Sequence, residues 1–117
     1  MPFSSSINYK LVENIIKALK KFGFYVFRRE LLGDVRNIVN NLSNEKLRQL
    51  IKVRPLDKSR RYYIIESDFR AFIAKCKDAC THNGVLDDSC FIKCKEDNRM
   101  RIIEDLIKDL NSMLIEG

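Results

Sequence analysis

Residues 46–65 read KLRQLIKVRPLDKSRRYYII, and their side chains suggest one kind of chemistry. Lys46, Arg48, Lys52, Arg54, Lys58, Arg60 and Arg61 set seven cations against the single Asp57, and Tyr62 and Tyr63 follow directly. Cations attract phosphates, and aromatic faces beside them can stack on bases, which together are the physical requirements for holding a nucleic acid. A charged run of this kind also reads as a solvated loop between helices. The charge of the whole chain favours the first reading. Net charge is +6 over 117 residues, and it is unevenly placed. Residues 1–75 carry 16 Lys and Arg against 7 Asp and Glu, a balance of +9, while residues 76–117 carry 6 against 9, a balance of −3. Polyanions are the expected partners of the first two thirds.

The second chemically distinctive set is C-x3-C, nine residues, C-x3-C: Cys76, Cys80, Cys90 and Cys94. A step of four puts both thiols of a pair on one helix face. Folding two such helices back across residues 81–89 brings Cys80 opposite Cys90 and Cys76 opposite Cys94. Two disulfide rungs would then staple a helical hairpin, at a typical 2–4 kcal/mol each. A zinc site made of all four cysteines, or free buried thiols, are the other readings of the same spacing. Zinc knuckles use tighter spacing at turns, so disulfides lead and no metal is expected. Disulfides in a chain without a secretory signal suit the cytosol of a hyperthermophile, the exception to the rule that intracellular thiols stay reduced.

Nothing else in the sequence reads as catalytic. His82 is the single histidine and falls in the turn between the cysteine pairs, where it reads as an exposed turn residue. Asp105 and Asp109 share a helix face, and Asp87, Asp88, Glu96, Asp97 and Glu104 are scattered along it, as a solvated helix surface explains. The four glycines form no phosphate-cradling loop. The expectation is a chain with no catalytic activity of its own and no resident cofactor, a nucleoside triphosphate such as ATP remaining a conceivable ligand.

The elements that must position these groups follow from periodicity. The length and the 45% hydrophobic content suit one globular domain over residues 7–117, after a flexible lead over 1–6. Ser5 or Ser6 can cap a first helix carrying Ile7, Leu11, Val12, Ile15, Ile16, Leu19 and Phe22 inward, stopped by Gly23. Residues 24–27 read as a short strand or a buried connector. Arg28 and Arg29 then open a second helix with Leu31, Leu32, Val35, Ile38 and Val39 inward. Gly33 inside it implies some local packing reason, since glycine lowers helix propensity by about 1 kcal/mol. Ser43 can cap a short third helix over residues 44–51. Pro55-Leu56-Asp57-Lys58-Ser59 is a turn, flanked by β-tolerant segments. Ser67 then caps a fourth helix bearing Phe69, Phe72, Ile73, Cys76 and Cys80, and Asn83-Gly84 turns the chain. Asp88 or Ser89 starts a fifth helix, with an interruption expected at Asn98 before Ile102, Ile103, Leu106, Ile107, Leu110 and Leu114. The fold class expected is therefore all-α: a compact bundle of about five to six helices, with room for one short β-hairpin near residues 51–65 and a C-terminal hairpin stapled by two disulfides. No apolar run approaches the roughly 20 residues of a membrane span, and a cytoplasmic setting is expected.

Two families resemble this pattern. The helix-dominated pattern, size and basic charge are similar to the accessory helix-bundle domain of archaeo-eukaryotic primases, as found in the replication protein of crenarchaeal plasmids. That resemblance implies a monomer holding single-stranded DNA, and a nucleoside triphosphate, for a catalytic primase-polymerase domain in cis. It brings no iron–sulfur centre, because the four cysteines are clustered in one hairpin. The order helix, helix, helix and then a basic hairpin also looks like a winged helix. That resemblance implies a duplex-binding regulator of an archaeal virus or plasmid, acting as a dimer, with the third helix in the major groove and the wing on phosphates. On either reading the binding residues are Arg54, Lys58, Arg60 and Arg61 with Lys52 assisting. Tyr62 or Tyr63 would stack on a base, one of the two being core because neighbours in a strand point to opposite faces. Arg28, Arg29 and Arg70 form a second tier.

Overall fold

The structure, a computed structural model, describes residues 7–68 and 70–116. The lead over residues 1–6, with Ser5 and Ser6 as caps, and the inward position of Phe69 lie outside the described residues. The first helix, α1 (Tyr9–Phe22), buries Leu11, Val12, Ile15, Ile16 and Leu19 on one stripe. Its N-terminus is capped by Asn8, whose side-chain oxygen accepts the Leu11 N–H at 3.1 Å. Gly23 ends it in the left-handed region (φ 83°), its N–H reaching the Leu19 carbonyl at 2.9 Å. Phe22, assigned above to the inward stripe, is instead 56% exposed.

The all-α expectation is overturned by two sheets. Strand β1 (Tyr25–Arg28) leads through a single 3₁₀ turn (Arg29–Leu31) into α2 (Leu32–Asn40), then α3 (Glu45–Leu50), β2 (Ile51–Pro55) and β3 (Tyr62–Ser67). The strands form an antiparallel sheet in the order β1-β3-β2. The molecule is therefore mixed α and β. The physical reason is β3, whose Tyr63, Ile64 and Ile65 are all buried and which has strands on both sides. Tyr25 to Arg28 pair with Ile65 to Tyr62, so the short apolar run after Gly23 is a strand because a distant segment supplies its hydrogen bonds. Arg28 and Arg29 accordingly close the strand and form the turn rather than opening a helix. Pro55, lacking an N–H, sits at the end of an edge strand, where the loss is tolerated.

Two caps differ from the sequence reading. Asn44, not Ser43, caps α3, accepting the Leu47 N–H at 3.2 Å. Ser67 is the buried last residue of β3, and Asp68 accepts the Arg70 N–H at 3.2 Å at the start of α4 (Arg70–Cys80). The fifth helix, α5 (Asp88–Glu116), starts at Asp88 as expected, and Asp87 before it accepts the Cys90 N–H at 3.2 Å. Between those helices lie β4 (Thr81–His82) and β5 (Val85–Leu86), a two-residue hairpin turned by Asn83 and Gly84 at φ 54° and 79°. The interruption at Asn98 is absent: α5 runs through it, and its side-chain amide donates to the Cys94 carbonyl at 2.8 Å. Gly33 has no close neighbour either: a Cβ there meets nothing within 4 Å.

The core joins α1, α2, α3, the sheet and the later part of α5, where Ile102, Ile103, Leu106 and Leu110 are buried. Beyond it, α4 and the start of α5 run as a hairpin held by Cys76–Cys94 and Cys80–Cys90, with Cα separations of 5.7 and 5.6 Å. The disulfide pairing is the nested one that the spacing implies, and among the described residues no free cysteine remains. A zinc site is excluded with it, since bridged sulfurs cannot ligate as thiolates.

Candidate nucleic-acid interface

The wing is built by its own turn chemistry. Between β2 and β3, the Asp57 carboxylate accepts the Ser59 hydroxyl at 2.6 Å and the Ser59 N–H at 3.0 Å, while the Asp57 carbonyl accepts the Arg60 N–H at 3.3 Å. The Ser59 hydroxyl in turn accepts the Arg61 N–H at 3.3 Å. The hydrogen bond from Ser59 holds the Asp57 carboxyl below its ordinary value. A depressed carboxyl favours the folded turn above its unfolded pKa, and that contribution fades only as pH falls through the folded one. That contribution is therefore present at neutral pH. The turn forces Arg60 to φ 57°, a left-handed conformation that is rare for a residue with a side chain.

One edge of the wing is fastened to the exit of β1. The Arg29 N–H donates to the Arg61 carbonyl at 2.9 Å, and Arg28 lies opposite Tyr62 in the sheet. The two segments enclose an open cavity of about 410 Å³ lined by Arg28, Arg29, Glu30, Ser59, Arg61 and Tyr62. Lys58, Arg60 and Arg61, with Arg28 and Arg29, are exposed, and none forms an ion pair among the described residues. Exposed cations outside any close ion pair are available to an external anion, although Arg61 also lies within the field of the Asp57 carboxylate.

The candidate residues divide into two groups. Lys58, Arg60, Arg61, Tyr62, Arg28 and Arg29 come together at the wing. Lys52, Arg54 and Arg70 lie instead around a separate cavity of about 210 Å³ with Glu66, Ser67 and Asp68. There Arg54 holds Glu66 at 2.7 Å and Arg70 holds Asp68 at 3.3 Å. Burial opposes ionisation of Asp68, yet the hydrogen bonds and charge of Arg70, with the charge of Lys52, keep its carboxyl below its ordinary value. Cations engaged in this way are less free to meet a phosphate. Tyr63 is withdrawn altogether, 6% exposed with its ring 6.1 Å from Phe27, whereas Tyr62 is 43% exposed beside the arginines. Of the two adjacent tyrosines, Tyr62 is the one that can stack on a group from outside.

The turn between α2 and α3 has a support that the sequence reading assigned to solvated surface. Asp109 of α5 is 8% exposed and accepts the Ser43 hydroxyl at 2.7 Å, the Ser43 N–H at 3.3 Å and the Asn44 N–H at 3.0 Å. The signal was present: Asp109 sits one residue before Leu110 and three after Leu106, on the apolar stripe of its helix. Beyond that turn, α3 presents Glu45, Lys46 and Gln49 to solvent, while Arg48 turns back to the Asn40 carbonyl at 3.3 Å. His82 is exposed in β4, at the tip of the stapled hairpin and outside the wing. Among the described residues no cluster of His, Cys, Asp or Glu could hold a metal ion, and no helix is long and apolar enough to cross a membrane. The sequence matches no protein-family model, no curated protein and no solved structure.

Proposed function

We propose that the chain binds duplex DNA in the manner of a winged helix, α3 meeting the major groove and the β2–β3 wing lying on phosphates. The observation that carries this reading is the wing tip, where Lys58, Arg60 and Arg61 stand free of ion pairs beside Arg28 and Arg29. Two helices joined by a four-residue turn, followed without a break by a basic hairpin, support it as well. α3 runs straight into β2, so reading helix and wing form one continuous segment over residues 45–67.

A six-residue helix is about 9 Å long and offers only Glu45, Lys46 and Gln49 as outward groups. Direct reading of base edges is correspondingly limited, and most of the affinity comes from phosphates. Tyr62 beside the arginines favours a second reading, in which the 410 Å³ cavity takes an unpaired base of single-stranded DNA or a nucleoside triphosphate. Fluorescence titration with duplex and single-stranded oligonucleotides, with and without ATP, separates the two. Tighter binding to duplex, indifferent to ATP and to Tyr62→Ala, is the expected result. Preference for single strands that Tyr62→Ala abolishes would overturn it in favour of the second reading.

A further inference from the structure

The stapled hairpin gathers four metal-ligating atoms in one place. Cys76 and Cys80 are buried on α4, and Cys90 and Cys94 are half-buried on α5. Across the hairpin the paired Cα atoms lie 5.7 and 5.6 Å apart, and along each helix a step of four spans about 6 Å. The four Cα atoms thus mark a rectangle whose centre is about 4 Å from every corner. A cysteine thiolate holding zinc at about 2.3 Å covers that distance through its Cβ. A step of four is also the spacing at which two side chains of one helix grip a single metal ion. While the bridges stand, the sulfurs are bonded to each other and ligate nothing.

We propose that reduction of both bridges turns this rectangle into a tetrahedral zinc site, which staples the same two helices in place of the disulfides. Each bridge takes two electrons and two protons from a dithiol, which leaves as its own disulfide, and two cysteine thiols result. The four thiols then lose four protons as they bind one Zn²⁺, and the tetrathiolate centre carries a charge of −2. Two features around the outer pair suit that charge. Lys75 and Lys77 flank Cys76 in the sequence, and Lys93 and Lys95 flank Cys94, although residues 76–117 are acidic overall. The Asn98 amide lies 3.7 Å from the Cys76 Sγ and 3.6 Å from the Cys94 Sγ, placed to donate to thiolates there. Neither feature is required by a neutral disulfide. Reductant and metal enter from the α5 side, where Cys90 and Cys94 are half-buried. Four thiolates at tetrahedral corners select zinc over magnesium or calcium, which take oxygen ligands. The far end of the hairpin has little apolar packing, with Val85 69% and Ile92 61% exposed, so it needs a staple in a reducing setting as much as in an oxidising one. The site shares no residue with the wing, so it holds or fails independently of DNA binding.

Cobalt titration tests this on the intact chain, reduced with dithiothreitol and then desalted into metal-free, oxygen-free buffer. Cobalt(II) stands in for zinc because its visible bands report tetrahedral coordination and its near-ultraviolet bands report thiolate ligands. The expected result is one equivalent bound with both sets of bands, displaced by one equivalent of zinc. Zinc should also return the urea midpoint of the reduced chain to near that of the oxidised one. Cys80→Ser/Cys90→Ser keeps two thiols and should bind about a hundredfold more weakly, without the tetrahedral bands. Asn98→Ala keeps all four and should weaken zinc binding about tenfold, with the circular dichroism of its oxidised form unchanged. A reduced chain that binds no cobalt, or that binds it as well with two thiols as with four, overturns the proposal. So does a reduced chain that zinc fails to restabilise.

Discussion

Asp109 is the residue whose surroundings most change its meaning. A carboxylate that takes three hydrogen bonds from Ser43 and Asn44 does what a helix cap does, but from another helix. Removing it leaves two backbone N–H groups and a hydroxyl without their acceptor in a half-buried corner. Asp109→Ala should therefore lower stability by about 2–3 kcal/mol, as measured by urea unfolding. Ser43→Ala should lower it by only about 1 kcal/mol, since both backbone donors stay paired. If Asp109→Ala proves neutral, the clamp has no energetic role. At this scale sequence reasoning did well where a side chain acts on its own neighbours. Gly23 as a stop, Asn83-Gly84 as a turn and one of two adjacent tyrosines as core were all legible. It failed where the partner is distant: Asp109 needs Ser43, and Arg54 needs Glu66 across the sheet.

Among the elements, helices were legible because each carries its own period, and β1 stayed open between strand and connector because four residues carry none. Residues 24–27 are apolar throughout, and only the pairing of Tyr25 to Arg28 with Ile65 to Tyr62 decides for a strand. The stapled hairpin was legible for the opposite reason, since a step of four and a nine-residue spacer constrain which sulfurs can meet. Its energetics follow from its position. Phe72, Cys76 and Cys94 still touch the core, but Ile92, Val85 and most of α4 are exposed, so little apolar surface holds the far end together. The inner bridge closes a loop within the outer one, so the second adds less than the first. Full reduction should lower unfolding free energy by about 3–5 kcal/mol, read by denaturant titration with and without reductant. Cys80→Ser/Cys90→Ser should lose about half of that. A reduced protein as stable as the oxidised one would show that packing alone holds the hairpin.

The whole molecule measures 57 × 35 × 25 Å, with a radius of gyration of 16.2 Å where a compact chain of this length has about 13 Å. The length comes from α5, whose 29 residues span about 43 Å. One side of this shape carries the wing, and the chain's positive balance is concentrated in the same first 75 residues. If those charges meet DNA phosphates, salt must compete with them in a countable way. Each neutralised phosphate changes the slope of log affinity against log salt by about 0.9 on duplex DNA. The variant Lys58→Ala/Arg60→Gly/Arg61→Ala should make that slope shallower by about 2–3 and weaken binding evenly across sequences. Glycine is chosen at position 60 because it adopts the left-handed backbone without strain, so the wing keeps its shape while losing its charge. Replacing Arg54 and Arg70 instead should change the slope by less than 1, because Glu66 and Asp68 already engage them. Equal effects from the two sets would mean that the free cations of the wing are not where the phosphates lie. The electrostatic face would then have to be sought along β2, around Lys52.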